Sequence, residues 1–158
     1  MTRAPDNTDF WIPMAGLFEI AKDAFFEDFR EELEQTEFAD IRPTHGCVFR
    51  FVGGSGMRLT LLAEMAGMTK QSVGEVVDDL VARGYVKRIA DPEDKRAKLI
   101  CLTARGERAQ ATGRALFAKV EEQWKERYGE RRLQQLRKLL EEIAATEAPG
   151  AAPELAHA

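Results

Sequence analysis

The chain has 158 residues, 44% of them apolar and 32% charged, a composition that closes a core and rules out a disordered chain; one domain, or one domain with a dimerisation extension, is expected. The net charge of −4 excludes a protein that is basic all over, but 11 of the 27 acids and only 5 of the 23 basic residues precede residue 57, so contact with an anion is expected after residue 56. No apolar stretch approaches the ~20 residues that cross a bilayer, the N-terminus lacks the apolar run of a secretory signal, and Cys47 and Cys101 belong to no CxxC pair, so a cytoplasmic protein with no membrane, metal or cofactor is expected.

In chain order, residues 13–38 read as a long amphipathic helix, with Met14, Leu17, Phe18, Ala21, Phe25, Phe29 and Leu33 at three- and four-residue steps and acids on the other face. Pro43 suits a first helical turn, and Thr44 to Val52 reads as a short helix with Val48, Phe49 and Val52 inward. Gly53-Gly54-Ser55-Gly56 breaks the chain, and Met57-Arg58-Leu59 is too short to classify. Thr60 is a candidate N-cap for a helix to about Ala66, and Thr69 for a second helix from Lys70 to about Arg83, with Gly84 as its stop. Tyr85–Ile89 and Lys98–Leu102 read as two strands joined by a charged loop. Thr103 caps a helix over 104–128, Gly129 breaks it, and Leu133, Leu136, Leu140 and Ile143 mark a last helix over 131–146. The tail beyond reads as disordered.

Two short helices around a three-residue turn form a helix-turn-helix. Ala63 lets the helices cross closely, Gly67 takes the turn, and Val73 and Val76 face back into the angle. A hairpin directly after such a unit is a wing. Its tip carries Lys95, Arg96 and Lys98, with Lys87 and Arg88 at the base. A guanidinium there suits a narrow, negative minor groove, and Asp94 is placed to bond Arg96 and aim it. Asp91, Glu93 and Asp94 partly cancel the charge of the tip.

The run from Leu59 to Gly106 resembles the DNA-binding core of the MarR family of bacterial transcriptional regulators. The resemblance rests on Asp94-x-Arg96, then Leu99, Leu102 and Thr103-x-x-Gly106, preceded by the helix-turn-helix and by Arg83-Gly84-Tyr85-Val86. It follows the helix order from about residue 10 to 146 and is specific over 57–106. The resemblance implies a mainly α fold with a small β-hairpin wing: a winged helix-turn-helix with N- and C-terminal dimerisation helices. It further implies a homodimer on a pseudo-palindromic double-stranded operator, with recognition helices in successive major grooves and wings in the flanking minor grooves. Many such proteins repress, and release DNA when a small aromatic or lipophilic effector binds. The apolar stripes at 13–38, 109–128 and 133–143 independently exceed what one small lobe covers, so a partner copy is expected to bury part of them. The expected division is a dimerisation helix at 10–40, the DNA-binding lobe at 41–103, dimerisation helices at 104–146 and a disordered tail at 147–158.

The expected DNA contacts are Thr69, Lys70, Gln71, Ser72, Glu75, Arg88, Asp94, Lys95, Arg96 and Lys98. Lys70, Gln71 and Ser72, near the helix start, are the base readers, since Gln bonds adenine bidentately and Lys reaches guanine. Glu75 stands where the family often has a basic or hydroxyl residue. It either reads a cytosine amino group or, as the favoured alternative, fixes a neighbouring Arg or Lys at the surface. Gly74 is expected to let the helix approach DNA closely. For the effector, the resemblance brings Trp11, Phe18, Phe25, His45 and Phe49 near a pocket between lobe and dimer base; for each the alternative is core or dimer packing. Two other functions stay open. One is a winged-helix protein-interaction module without DNA binding, which the acids Glu75, Asp78 and Asp79 favour. The other is thiol-based sensing at Cys47, against which the first helix offers neither Cys nor Tyr; Cys101 reads as packing. An enzyme is not expected: two His residues, no nucleophile–base pair and no phosphate loop after the glycine run leave little for catalysis.

Overall fold

Thr69 and Thr103 each open a helix by accepting a hydrogen bond from the backbone N–H three residues on, Ser72 and Gly106, both at 3.1 Å. The computed structural model describes residues 11–94 and 96–147. The elements run α1 (Met14–Glu34), a 3-10 turn (Pro43–His45), α2 (Gly46–Phe51), β1 (Met57–Arg58), α3 (Leu59–Ala66), α4 (Lys70–Ala82), β2 (Val86–Ala90), β3 (Lys98–Leu102), α5 (Ala104–Tyr128) and α6 (Glu130–Glu147). The fold is mainly helical with a small antiparallel sheet, a winged helix-turn-helix between long helical arms.

Gly67 ends α3 in the left-handed conformation, φ 62°, and Met68 N–H closes the turn on Ala63 O at 3.0 Å. This turn sets the angle between α3 and α4. Val73, Val77 and Leu80 of α4 are fully buried there with Leu62, Val48, Val52, Tyr85 and Ile100. Gly106 matters through close approach: a Cβ on it would sit 2.0 Å from Tyr85 O. Only glycine lets the first turn of α5 lie against the bend that enters β2. The same bend is pinned by Thr103, whose hydroxyl donates to Gly84 O at 2.6 Å. The Thr103-x-x-Gly106 motif is therefore a joint between wing and arm.

Several boundaries differ from the sequence reading. The first helix stops at Glu34 rather than 38: Thr36 Oγ1 bonds both Leu33 O and Phe38 N, turning the chain so that Phe38 enters the core. The segment 44–52 is a 3-10 turn followed by α2, because His45 Nδ1 accepts the Arg42 N–H and tightens the first turn. Thr60 is not the cap of α3; the helix begins at Leu59, directly after the strand pair that holds Arg58. The wing is not a simple hairpin. Met57 and Arg58 pair with Ile100 and Leu99, giving a three-stranded sheet in the order β1-β3-β2.

In the arms, α1 lies along α5. Phe29 stacks on Phe117 at 4.3 Å, and Trp124 donates to Asp28 Oδ2 at 2.6 Å. No residue of α6 is buried. Glu147, expected in the tail, is its last residue, and the remaining tail, 148–158, lies outside the described residues. No helix among the described residues is long and apolar enough to cross a membrane.

Candidate nucleic-acid interface

Helix α4 buries Val73, Val77 and Leu80. At 100° per residue the opposite face centres between Gln71 and Glu75, with Asp78 beside Gln71, and all three are exposed. The cap beneath this face is tied down, since the Thr69 and Ser72 hydroxyls share a hydrogen bond at 2.8 Å. Lys70 turns to the side, into the space before the wing.

The acids on α4 are largely answered within the chain. Asp78 pairs with Arg88 of β2 at 2.7 Å. Asp79 takes Arg83 at 3.0 Å, His45 at 2.9 Å and Arg42 at 3.8 Å. Its neighbours hold the Asp79 carboxyl below its ordinary value, Arg83 most of all. Among the described residues Glu75 fixes no Arg or Lys, although the surface reading expected one; it accepts from the Gln71 amide at 3.3 Å, one helical turn back. At Gly74 a Cβ would stand 3.9 Å from Leu59 Cδ2, an ordinary contact distance, so the α3–α4 crossing itself does not require a glycine there.

The wing also differs from the expected electrostatics. Asp91 is not a tip acid. It is 4% exposed, accepts the Glu93 N–H at 2.9 Å and is clamped by the Arg58 guanidinium at 2.5 and 2.6 Å. The Glu93 N–H, then Arg58, depress its pKa. Asp94 bonds Arg96 through the backbone: its Oδ1 accepts the Arg96 N–H at 3.0 Å, and its carbonyl accepts Ala97 N–H at 2.8 Å. The carboxylate thus shapes the turn rather than aiming the guanidinium, because an Asx turn satisfies it locally. Among the described residues Arg96 makes no ion pair; Lys95 lies outside them.

The wing and the start of α4 enclose a groove of about 310 Å³ lined by Arg58, Lys70, Arg88, Arg96 and Lys98, with Leu59 and Ile100 among its apolar walls. Four of these cations were expected from sequence. Arg58 was missed, since a two-residue strand has no periodicity and its partner Asp91 lies 33 positions away. Among the described residues no group of three or more His, Cys, Asp or Glu could hold a metal ion.

The residues considered for an effector do not converge. Trp11, ahead of α1, is 83% exposed, and Phe18, in its early turns, is about half exposed. Phe25 packs edge-on to Trp124 at 5.1 Å, between α1 and α5. Phe49 stands edge-on to Tyr85 at 5.8 Å, inside the lobe. His45 is 1% exposed and has both ring nitrogens engaged. Nδ1 accepts from Arg42 N–H at 3.0 Å, which leaves the proton on Nε2, facing Asp79 Oδ2 at 2.9 Å. Burial holds its pKa below 6.5 despite the opposing pull of Asp79. Burial likewise pushes the Cys47 thiol up, away from the thiolate that redox sensing needs. Sequence reasoning also missed a junction between lobe and arms. Tyr85 Oη donates to Asp40 Oδ1 at 2.5 Å, Arg105 donates to Tyr85 Oη at 3.0 Å, and Arg83 reaches Asp40 O at 3.2 Å.

The sequence model of the MarR family matches residues 39–97. The chain is 32% identical over 91 residues to the transcriptional regulator HosA of Escherichia coli O111:H-, a match spanning 57% of this chain and 67% of HosA. Among solved structures it is similar to the reduced form of MarR from E. coli, with 20% identity, 85% of this chain and 98% of that one covered, and a TM-score of 0.74. It is also similar to the transcriptional repressor CouR bound to a 23-mer DNA duplex, with 24% identity, 84% and 92% coverage, and a TM-score of 0.70. CouR from Rhodococcus jostii RHA1 bound to p-coumaroyl-CoA matches at 24% identity, 83% and 91% coverage, and a TM-score of 0.65.

Proposed function

This chain belongs to the MarR family of transcriptional regulators, and on that premise we propose that it is a cytoplasmic homodimeric repressor that binds a pseudo-palindromic operator and releases it when a small aromatic or lipophilic effector binds. The observation that carries the DNA reading is the cationic groove. In a chain of net charge −4, five basic side chains gather between the start of α4 and the wing, and three of them, Lys70, Arg96 and Lys98, have no carboxylate partner among the described residues. Phosphates supply the matching charge, and neutralising them releases counterions. In this reading Lys70, Gln71 and Ser72 meet base edges in the major groove, Thr69 holds the helix start, and Glu75 lies beside Gln71. Lys95, Arg96 and Lys98 reach the minor groove or its phosphates. Arg88 sits at the wing base and Asp94 sets the turn that presents Arg96.

The dimer is supported by apolar faces that no other part of the described residues covers. Met14, Leu17, Phe18 and Ile20 of α1, and Leu136, Leu139, Leu140 and Ile143 of α6, are all exposed. Segments 10–40 and 104–146 are accordingly proposed as the dimer base and 41–103 as the DNA-binding lobe. The effector class is supported by CouR, a relative of the same fold that takes an aromatic acyl thioester. On this chain Phe18 and Phe25 remain candidates on the arm. His45 and Phe49 contribute as packing inside the lobe, and Trp11 stands open at the start of the arm.

A salt-titrated gel shift tests the reading, using the DNA upstream of the chain's own gene and a random duplex of equal length. The expected result is tighter binding to the upstream DNA, with affinity falling linearly in log salt. Equal affinity for both duplexes, or none, overturns it and favours the protein-interaction module. The observation on the side of that module is the acidic outer face of α4, Glu75 and Asp78.

A further inference from the structure

We infer that Glu75 is a positioning residue for base reading: it holds the Gln71 amide in one orientation, so that the pair selects adenine over guanine at one position in each half-site. This rests on the reading of α4 as the helix that enters the major groove.

Gln71 sits on the outer face of α4, and its Nε2 donates to Glu75 Oε1 at 3.3 Å. Both side chains are exposed, four residues apart on one face. Glu75 differs from the other acids of the helix. Asp78 and Asp79 answer cations, whereas among the described residues Glu75 has no ion pair and its partner is the amide.

The chemistry follows from the two ends of an amide. A free glutamine amide turns over readily in water, exchanging its donor and acceptor ends. Adenine presents N7, an acceptor, beside the N6 amino donor; guanine presents two acceptors, N7 and O6. With Nε2 toward Glu75, one amide hydrogen is used. The second remains for N7, and Oε1 is left to accept from N6. The same amide facing guanine sets Oε1 against O6, two acceptors in contact. Turning it over to suit guanine sets Oε1 against the Glu75 carboxylate, which can only accept. Glu75 thus penalises the guanine arrangement without touching the base. Its charge also repels phosphate, so it lowers affinity for DNA of any sequence while sharpening the choice of base.

The test is selection of binding sites from a random duplex library by the full-length protein, wild type and the variants Gln71→Ala, Glu75→Ala and Glu75→Gln, with thermal melts showing that each folds. The wild type is expected to select one adenine per half-site at a position where Gln71→Ala loses all preference. Glu75→Ala is expected to broaden that same position to adenine and guanine, reducing discrimination about tenfold, while binding to random DNA tightens. Glu75→Gln, whose amide can accept from Gln71 or donate to it and so suits either orientation, is expected to broaden the position as Glu75→Ala does. A purely structural Glu75 would leave the base choice alone. If Glu75→Ala keeps the wild-type preference, or if the Gln71-dependent position is not adenine, this inference is overturned while operator binding stands. If the wild type selects no motif, both are overturned.

Discussion

The lobe and the arms handle their apolar residues in opposite ways. In the lobe, Val48, Val52, Leu62, Val73, Val77, Leu80, Tyr85 and Ile100 are sealed by one another. In the arms, α6 buries nothing, and much of the apolar stripe of α1 faces outward. The lobe's order is therefore intramolecular, set by the turn at Gly67 and by packing around α4. In the proposed homodimer the arms are ordered against a second copy, which makes their contribution to stability a function of concentration. The polar chemistry divides along the same line. The lobe satisfies its buried carboxylate with Arg58 and leaves cations facing the groove, while the α1–α5 contact is lined with ion pairs such as Glu32–Lys119 and Asp28–Arg127.

The largest effect separates the two regions directly. Leu62→Ala, which empties a fully buried site, is expected to cost about 2–5 kcal/mol, read as a urea midpoint lowered equally at every protein concentration. Leu139→Ala on exposed α6 is expected to leave the lobe's melting unchanged and to weaken the dimer, seen as a fall toward the 17.8 kDa monomer in light scattering at micromolar concentration. Equal, concentration-independent losses from both would erase the contrast between lobe and arm.

Next in size is Arg96→Ala, which probes a cation without a carboxylate partner in the wing. Operator affinity should drop about tenfold per wing, and the slope of log K against log salt should flatten by about 0.9 for each phosphate that Arg96 no longer neutralises. An unchanged affinity and slope would make the wing an ordinary solvated turn. Asp94→Ala should do less and do it differently. The bond it removes goes to the Arg96 backbone, so about 1 kcal/mol of local wing order is lost while the salt slope stays, because the cation remains. A slope change equal to that of Arg96→Ala would show that Asp94 acts on the guanidinium after all.

The smallest effect is a pH dependence inside the lobe. His45 is held neutral by burial, with Asp79 opposing and Arg83 and Arg42 assisting. Its folded pKa lies below the unfolded one, so the unfolded chain takes up the proton first. The stability it contributes is whole above pH 6.5 and is lost as pH falls through the depressed folded value. Protonation at Nδ1 also breaks the bond from Arg42 N–H. Melting temperature is expected to decline from pH 7 toward 5, and His45→Gln should flatten that decline. Asp79 and Asp91, held below 3.8, act later, their contributions fading as pH falls through their own depressed values. A melting curve rising toward pH 5 would contradict the neutral His45.

What could be read residue by residue was the local part. Thr69 and Thr103 announced their helices because a cap hydroxyl reaches a backbone N–H only three residues away. Gly67 announced its turn because few other residues take a positive φ cheaply. The inward face of α2 followed from the helical period and the wing from two short apolar runs around a charged loop, but on α4 only Val73 of the expected pair is fully buried: Val76 is half-buried, and Val77 and Leu80 fill the core instead. Even the Gln71–Glu75 pair lies within one helical turn, although its meaning waited on which face of α4 is outermost.

Folding in three dimensions decided where charge is spent. Arg58 and Asp91 meet across 33 positions, and His45 and Asp79 across 34. No spacing rule links such pairs, because their geometry depends on how α3, the sheet and α4 pack together. The same packing moved Asp91 from the wing tip to its base and turned His45 from an effector candidate into a buried brace. It also left Arg96 unpaired among the described residues, at the edge of a cationic groove. Hydrogen bonds between chain neighbours cost little chain entropy to form and so leave their mark in short motifs. Ion pairs between distant segments form only after burial has brought the segments together, and their identity belongs to the tertiary structure.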